Sequence, residues 1–145
     1  MNGCEPNSHI VESQFYSGGY TTPEARKIFC DRYRYQRWLD VEAALALAQA
    51  DLGIIPAWAA KNINEKAHLC YINLDAVKEG LKVSSHSLLP LLGALQQACD
   101  DGAGQFIHFG ATTQDIQDTA QSLEIRDVLT IVPRDLSSIT QQVME

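Results

Sequence analysis

Between Arg32 and Leu52 the chain holds neither proline nor glycine, and its apolar residues recur at helical rather than strand spacing. Trp38, Leu39, Leu45, Ala46 and Leu52 fall on one broad face of that helix, and the many alanines allow a neighbouring helix to approach closely. A second run, "IQDTAQSLEIRDVLTIV" from Ile116, repeats the helical period with Ile116, Ala120, Leu123, Ile125, Val128 and Leu129. Only "QFIHF" (105–109) offers a short strand-like alternation, so the expected fold class is all-α.

Punctuation between the runs sets the element order. Thr22 suits an N-cap, Pro23 the first helical position and Glu24 the positive end of the helix dipole. Asp31 offers a cap for the long helix, which Gly53 closes. Pro56 opens "PAWAAKNINEKA" and Asn73 caps "LDAVKEGLK". Ser85 or Ser87 caps "LLPLLGALQQAC", where Pro90 is tolerated in the first turn and Gly102 closes the helix. Pro133 is expected to kink or break the last helix before "RDLSSITQQVME". Leu129, Ile131, Val132, Leu136, Ile139 and Val143 then need a cover, supplied by other copies of the chain or by more chain. Residues 1–20, polar and carrying "SGGY", read as a loosely held arm.

The bulk numbers narrow the function classes. The 145 residues suffice for one domain with a real core, and 46% apolar with 20% charged residues is ordinary for a globular protein. A net charge of −7 argues against nucleic-acid and anionic-membrane partners. No apolar run is long enough to span a bilayer, and the first residues lack the pattern of a signal peptide, so a cytoplasmic location is expected. Cys4, Cys30, Cys70 and Cys99 form no pair at ligand spacing, so no metal site is expected, and Cys30 and Cys99 read as small buried hydrophobes on helices. No phosphate-cradling glycine loop and no nucleophile elbow is present.

The chemistry concentrates in "HFGATTQDIQDTA", residues 108–120. Thr112 and Asp115 stand three apart before an apolar run, which is a capping box with aspartate in place of glutamate. The same geometry suits a carboxylate. Gly110 and Ala111 leave the backbone uncluttered, helix N-terminal N–H groups bind anions, and Thr112, Thr113 and Gln114 add donors, with His108 just upstream. His86, among Ser84, Ser85 and Ser87 at the head of an apolar helix, reads either as a capping or packing residue or as a group that titrates near neutrality. His9 and His68 read as surface residues. Arg32, Arg34 and Arg37 read most simply as a solvated face, with an anion site as the alternative.

"IHFGATTQDIQDTA" resembles the first signature region of the fumarase/aspartase superfamily, in its adenylosuccinate lyase and carboxymuconate cycloisomerase branch. The likeness extends through "YTTPEARKIFCDRYRYQRWLDVEAALALAQADLGIIP", similar to the amino-terminal helices of those lyases, and through "SSHSLLPLLGAL", where they carry a histidine. It implies a homotetrameric enzyme that needs no metal or organic cofactor. Such an enzyme eliminates fumarate from a succinyl-substituted substrate, or rearranges a related dicarboxylate, by general acid–base catalysis. Carried over by position, Thr112, Thr113, Gln114 and Asp115 bind or orient the succinyl carboxylate, His108 contacts substrate beside them, and His86 is the catalytic histidine.

The departures bear on the substrate. Adenylosuccinate lyases commonly carry Arg-Tyr-Ser-Arg-Pro-Glu-Met where this chain has Gly19-Tyr20-Thr21-Thr22-Pro23-Glu24-Ala25, so Tyr20 remains as a substrate contact without the arginines. The usual His-Asp-Val is His86-Ser87-Leu88, and the following Pro90-Leu91 leans toward the cycloisomerases. The family's catalytic serine loop and its Thr-His motif are absent, so the chain alone is expected to be inactive. The resemblance thus implies an arm (1–20), a helical amino-terminal domain (21–111) and the start of the central helical bundle (112–145). The first alternative is a carboxymuconate cycloisomerase-type enzyme of aromatic catabolism. The second, of another class, is a non-catalytic helical interaction module.

Overall fold

A computed structural model describes residue 10, residue 13 and residues 15–144. Among the described residues there is no strand. The elements are α1 (Ser17–Tyr20), α2 (Pro23–Ile28), α3 (Asp31–Asp51), α4 (Ala57–Lys66), α5 (Leu74–Ser84), α6 (Leu89–Ala98) and α7 (Thr113–Met144), with 3₁₀ turns at Leu69–Tyr71 and Ala103–Phe106. The all-α expectation holds, and "QFIHF" belongs to the second of those turns and the loop after it.

Local chemistry places most boundaries. Thr22 Oγ1 accepts the Ala25 N–H at 3.1 Å with Pro23 behind it, and Asn73 Oδ1 accepts the Ala76 N–H at 3.1 Å. Past the end of α3, Gly53 takes φ +69°, its N–H reaches Ala50 O, and the Ile54 N–H reaches Gln49 O at 2.8 Å. That pair of bonds is a Schellman motif, which a residue without Cβ forms most cheaply. Asp31 is the first residue of α3 rather than its cap, a position where its charge still favours the helix dipole.

Other boundaries differ from expectation. Neither Ser85 nor Ser87 caps α6; the ring of His86 does, in the capping role that is one of its two sequence readings. Gly102 does not close α6, which ends at Ala98, but stands before the following 3₁₀ turn. Of the kink or break expected at Pro133, the break does not occur: Pro133 lies inside α7, which continues to Met144. Its missing N–H costs the ladder one bond on a stretch where Leu129 and Val132 are exposed and water can serve the freed carbonyl. Cys30 is exposed and Cys99 partly buried, so Cys30 is no core residue.

The core gathers Trp38, Leu39 and Ala43 of α3, Val77 of α5, Leu91, Leu92 and Leu95 of α6, and Ile116 and Ala120 of α7. Leu39, Leu91 and Leu95 have no exposed surface. Leu45 packs against this cluster, whereas Leu52, the C-cap residue just past the end of α3, is exposed. A smaller cluster, Ala46, Ile55, Ala60 and Ile63, seats α4 on the far end of α3. Glu124 is the last buried residue of α7. Beyond it α2 and α3 cover one side only, and Ile125, Leu129, Val132, Leu136, Ile139 and Val143 are exposed at alternating spacings of four and three, the pattern of a helix–helix seam that nothing covers among the described residues.

Candidate functional site

The first turns of α7 are the meeting point. The loop before α7 passes over α3, and α3 grips it with side chains two helical turns apart. Glu42 accepts the His108 backbone N–H through Oε2 at 3.1 Å and faces the His108 ring at Nδ1 through Oε1 at 2.7 Å. Seven residues on, Gln49 Nε2 donates to Phe109 O at 2.7 Å. His108 itself adopts φ +59°, a left-handed conformation that an L side chain enters at a cost of about 1–2 kcal/mol. The two bonds to Glu42 hold it there.

Glu42 is 2% exposed, an acidic side chain within the apolar stripe of α3. Burial pushes its carboxyl up from the ordinary value, and the bonds from His108 pull it part of the way back. The His108–Glu42 contact is thus a dyad of a buried carboxylate and a half-buried ring.

Past the loop, Gly110 at φ +69° turns the chain into α7. Asp115 Oδ2 accepts the Thr112 N–H at 2.9 Å, the returning half of a capping box. Among the described residues no acceptor stands against the N–H groups of Thr113 and Gln114, so that end of α7 is open for an anion. The Gln114 side chain is turned along the helix and donates to Asp118.

The loop that carries His86 meets α7 at its second turn. Ser85 before His86 is left-handed at φ +51°, and the His86 Nδ1 accepts the backbone N–H groups of Leu88 and Leu89, each at 3.2 Å. Its neighbour Ser87 accepts from Gln117 Nε2 at 2.7 Å, which fastens the His86 loop to the second turn of α7. The structure therefore brings the loops of His86 and His108 together with Thr112, Thr113, Gln114 and Asp115. It does not bring Tyr20, which is exposed at the end of α1. The next helix, α2, docks farther down α7, where Glu24 holds Arg134 at 2.9 Å. Arg134 is some twenty residues beyond Thr113, roughly 30 Å along the helix. His68 is exposed, as expected, and His9 lies outside the described residues.

The arginines of α3 are only in part a solvated face: Arg32 and Arg34 are exposed and Arg37 is half-buried. Arg34, though exposed, donates through Nε and Nη2 to Glu124 at 3.2 and 3.3 Å, and Glu124 is 5% exposed. Arg37 bonds Asp127 at 2.8 Å and Asp40 at 3.1 Å. The bond from Tyr33 and the Arg37 guanidinium hold the Asp127 carboxyl below its usual range. Arg34 also lines a cleft of about 410 Å³ with Trp38, Ser87, Gln117, Gln121 and Glu124. That cleft adjoins the His86 loop, and its polar lining was missed from the sequence. Its one available signal is that Gln117, Gln121 and Glu124 share a face of the α7 pattern. Among the described residues no cluster of side chains is suited to hold a metal ion, and no helix is long and apolar enough to cross a membrane.

Known proteins share this sequence and this architecture. No family model matches the chain. It is 45% identical over 120 residues to adenylosuccinate lyase of Methanocaldococcus jannaschii, covering 83% of this chain and 26% of that protein. It is 43% identical over 138 residues to N-acetyl-S-(2-succino)cysteine lyase of Enterococcus italicus, covering 95% of this chain and 29% of the relative. The solved 3-carboxy-cis,cis-muconate lactonizing enzyme from Pseudomonas putida superposes with a TM-score of 0.81 at 34% identity, over 90% of this chain and 31% of that one. The chain thus spans less than a third of the length of the relatives it matches. On the strength of these likenesses in sequence and fold, the chain belongs to the fumarase/aspartase superfamily, the fumarate lyases.

Proposed function

We propose that this chain is the amino-terminal part of a lyase that releases fumarate from a succinyl-substituted substrate by general acid–base catalysis. The observation that carries this reading is the convergence of the His86 loop, the His108 loop and the open N-terminus of α7. Proton abstraction beside a carboxylate leaves a dianion. Free N–H groups at a helix N-terminus, aided by the Thr112 and Thr113 hydroxyls, stabilise such charge without reorganising. His86 is the catalytic histidine in this proposal, and His108, Gln114, Asp115 and Tyr20 serve substrate, Tyr20 from outside the cluster. Residues 112–145 begin the central-bundle domain, whose exposed seam meets other copies in a homotetramer. The serine loop lies in the rest of the protein, so the 145 residues alone have no turnover.

The relatives leave three substrate types in play, those of an adenylosuccinate lyase, a succinylcysteine lyase and a carboxymuconate cycloisomerase. We rank the nitrogen-linked succinyl substrate first, as in purine nucleotide synthesis, and the cycloisomerase reaction second. Assay of the complete gene product on all three, with and without Thr112→Ala plus Thr113→Ala, tests the reading. The double change is expected to lower kcat/KM about 100-fold, the effect of losing oxyanion donors. Unchanged behaviour of a folded double variant would sink the catalytic reading in favour of an interaction module.

A further inference from the structure

The Glu42–His108 dyad has a consequence that the lyase reading leaves open. Both oxygens of Glu42 are used on one residue: Oε2 takes the His108 backbone N–H and Oε1 faces the ring at Nδ1. A backbone N–H only donates, so it fixes which way the carboxylate lies. The remaining oxygen, an acceptor when ionised, then selects a protonated Nδ1 opposite it. From this geometry we infer that Glu42 is a positioning residue, which holds neutral His108 as the Nδ1–H tautomer and leaves its Nε2 as a bare hydrogen-bond acceptor.

The chemical meaning is one of specificity. A neutral ring with a lone pair at Nε2 repels a substrate carboxylate and takes an N–H or O–H donor. His108 therefore marks the place of a donor group on the substrate, beside and not within the carboxylate seat at Thr113 and Gln114. This substrate assignment rests on the lyase reading; the tautomer does not. His86 is the built-in contrast, because its Nδ1 accepts two backbone N–H groups and its ring proton must sit on Nε2.

The test is a long-range proton–nitrogen correlation spectrum of the ¹⁵N-labelled 145-residue chain at about pH 8, above the ordinary histidine range. His108 is expected to show the Nδ1–H pattern and His86 the Nε2–H pattern, each assigned from its own substitution. In Glu42→Gln the amide oxygen must serve the His108 backbone N–H, so the amide NH₂ turns to Nδ1 and donates to it. The ring proton then moves to Nε2, and the two histidines give the same pattern. A wild-type His108 with its proton on Nε2 would overturn the inference, as would a folded Glu42→Gln in which the tautomer stays on Nδ1. Should Glu42→Gln fail to fold, the wild-type comparison of His108 with His86 decides alone. No turnover enters this readout. A complete protein inactive on every succinyl substrate would remove the lyase reading and leave the tautomer result standing, and the converse failure is equally visible.

Discussion

The ring of His86 receives two backbone N–H groups at Nδ1, whereas the ring of His108 meets a buried carboxylate at the same atom. Each ring is held by its inner nitrogen beside a left-handed turn, and each leaves Nε2 for whatever arrives. One loop offers a donor and the other an acceptor. The difference arises from where the holding group comes from. His86 is satisfied by the helix it starts, within three residues; His108 depends on a side chain 66 positions away in sequence. A local hold is cheap to lose and simple to replace. A distant buried hold is neither.

The largest effect is therefore expected at Glu42. Glu42→Ala strips the half-buried N–H and ring of His108 of their acceptor and opens a void beside Leu39 and Ala43. The expected loss is about 3 kcal/mol in urea unfolding. A loss below 1 kcal/mol would mean that water reaches the site and that the dyad is no more buried than the His86 cap.

Second in size is His108, where conformation and charge separate. His108→Gly and His108→Ala both leave Glu42 without the ring, but only glycine adopts φ +59° freely, so the glycine variant should be the more stable by about 1 kcal/mol. The pH dependence has a definite sign. The folded Glu42 carboxyl lies above its ordinary value of 4.5 because burial outweighs the bonds from His108. A carboxyl raised on folding contributes stability that is full below its unfolded value and is lost as pH rises through the folded one. Without the ring the folded value rises further. The deficit of His108→Gly against wild type should hence be small near pH 4 and grow toward pH 7. A pH-independent deficit would assign the loss to packing.

These two positions also show what the sequence made legible. Helix starts at Thr22 and Asn73 and the stop at Gly53 were readable because each is satisfied within a few residues, and the fold class followed from helical periodicity. Glu42 was not, although the buried positions 38, 39, 42, 43 and 46 place it on the apolar stripe. Carboxylates on an alanine-rich helix usually face water, and its partner lies on another element. Glu124 escaped for the same reason: it follows Ile116 and Ala120 on the buried face of α7, and Arg34 is 90 residues away. The His86 cap was partly legible: a capping or packing role was one of its two readings, although the serines on both sides stood as the named caps of α6 and no propensity encodes an imidazole reaching two N–H groups. For Glu42 and Glu124 the unread feature is a polar side chain whose partner only the tertiary fold supplies.

His86 is the next test and a smaller one. His86→Ala removes a helix start and should cost about 1 kcal/mol, whereas His86→Asn keeps a side-chain acceptor and should recover most of that. Stability recovered in the asparagine variant, with turnover of the complete protein still lost, would separate the ring's chemistry from its cap. Recovery of both would reduce His86 to a structural residue.

The smallest stability change is expected at Asp115, where the argument turns on charge. Its Oδ2 holds the Thr112 N–H at 2.9 Å, so Asp115→Ala gives up half of a capping box, roughly 0.5 kcal/mol. The same change removes a negative charge from the N-terminus of α7 and frees a third N–H beside those of Thr113 and Gln114. If that end is the seat of a carboxylate and Asp115 merely holds the turn, added fumarate should shift the amide resonances of residues 112–114 at lower concentration in Asp115→Ala than in wild type. If Asp115 instead orients the turn on which the seat depends, fumarate should bind the variant more weakly in spite of the lost repulsion. His108, one turn of loop away on its own buried hold, should keep its ring tautomer in either case, which confines the answer to the carboxylate end of the site.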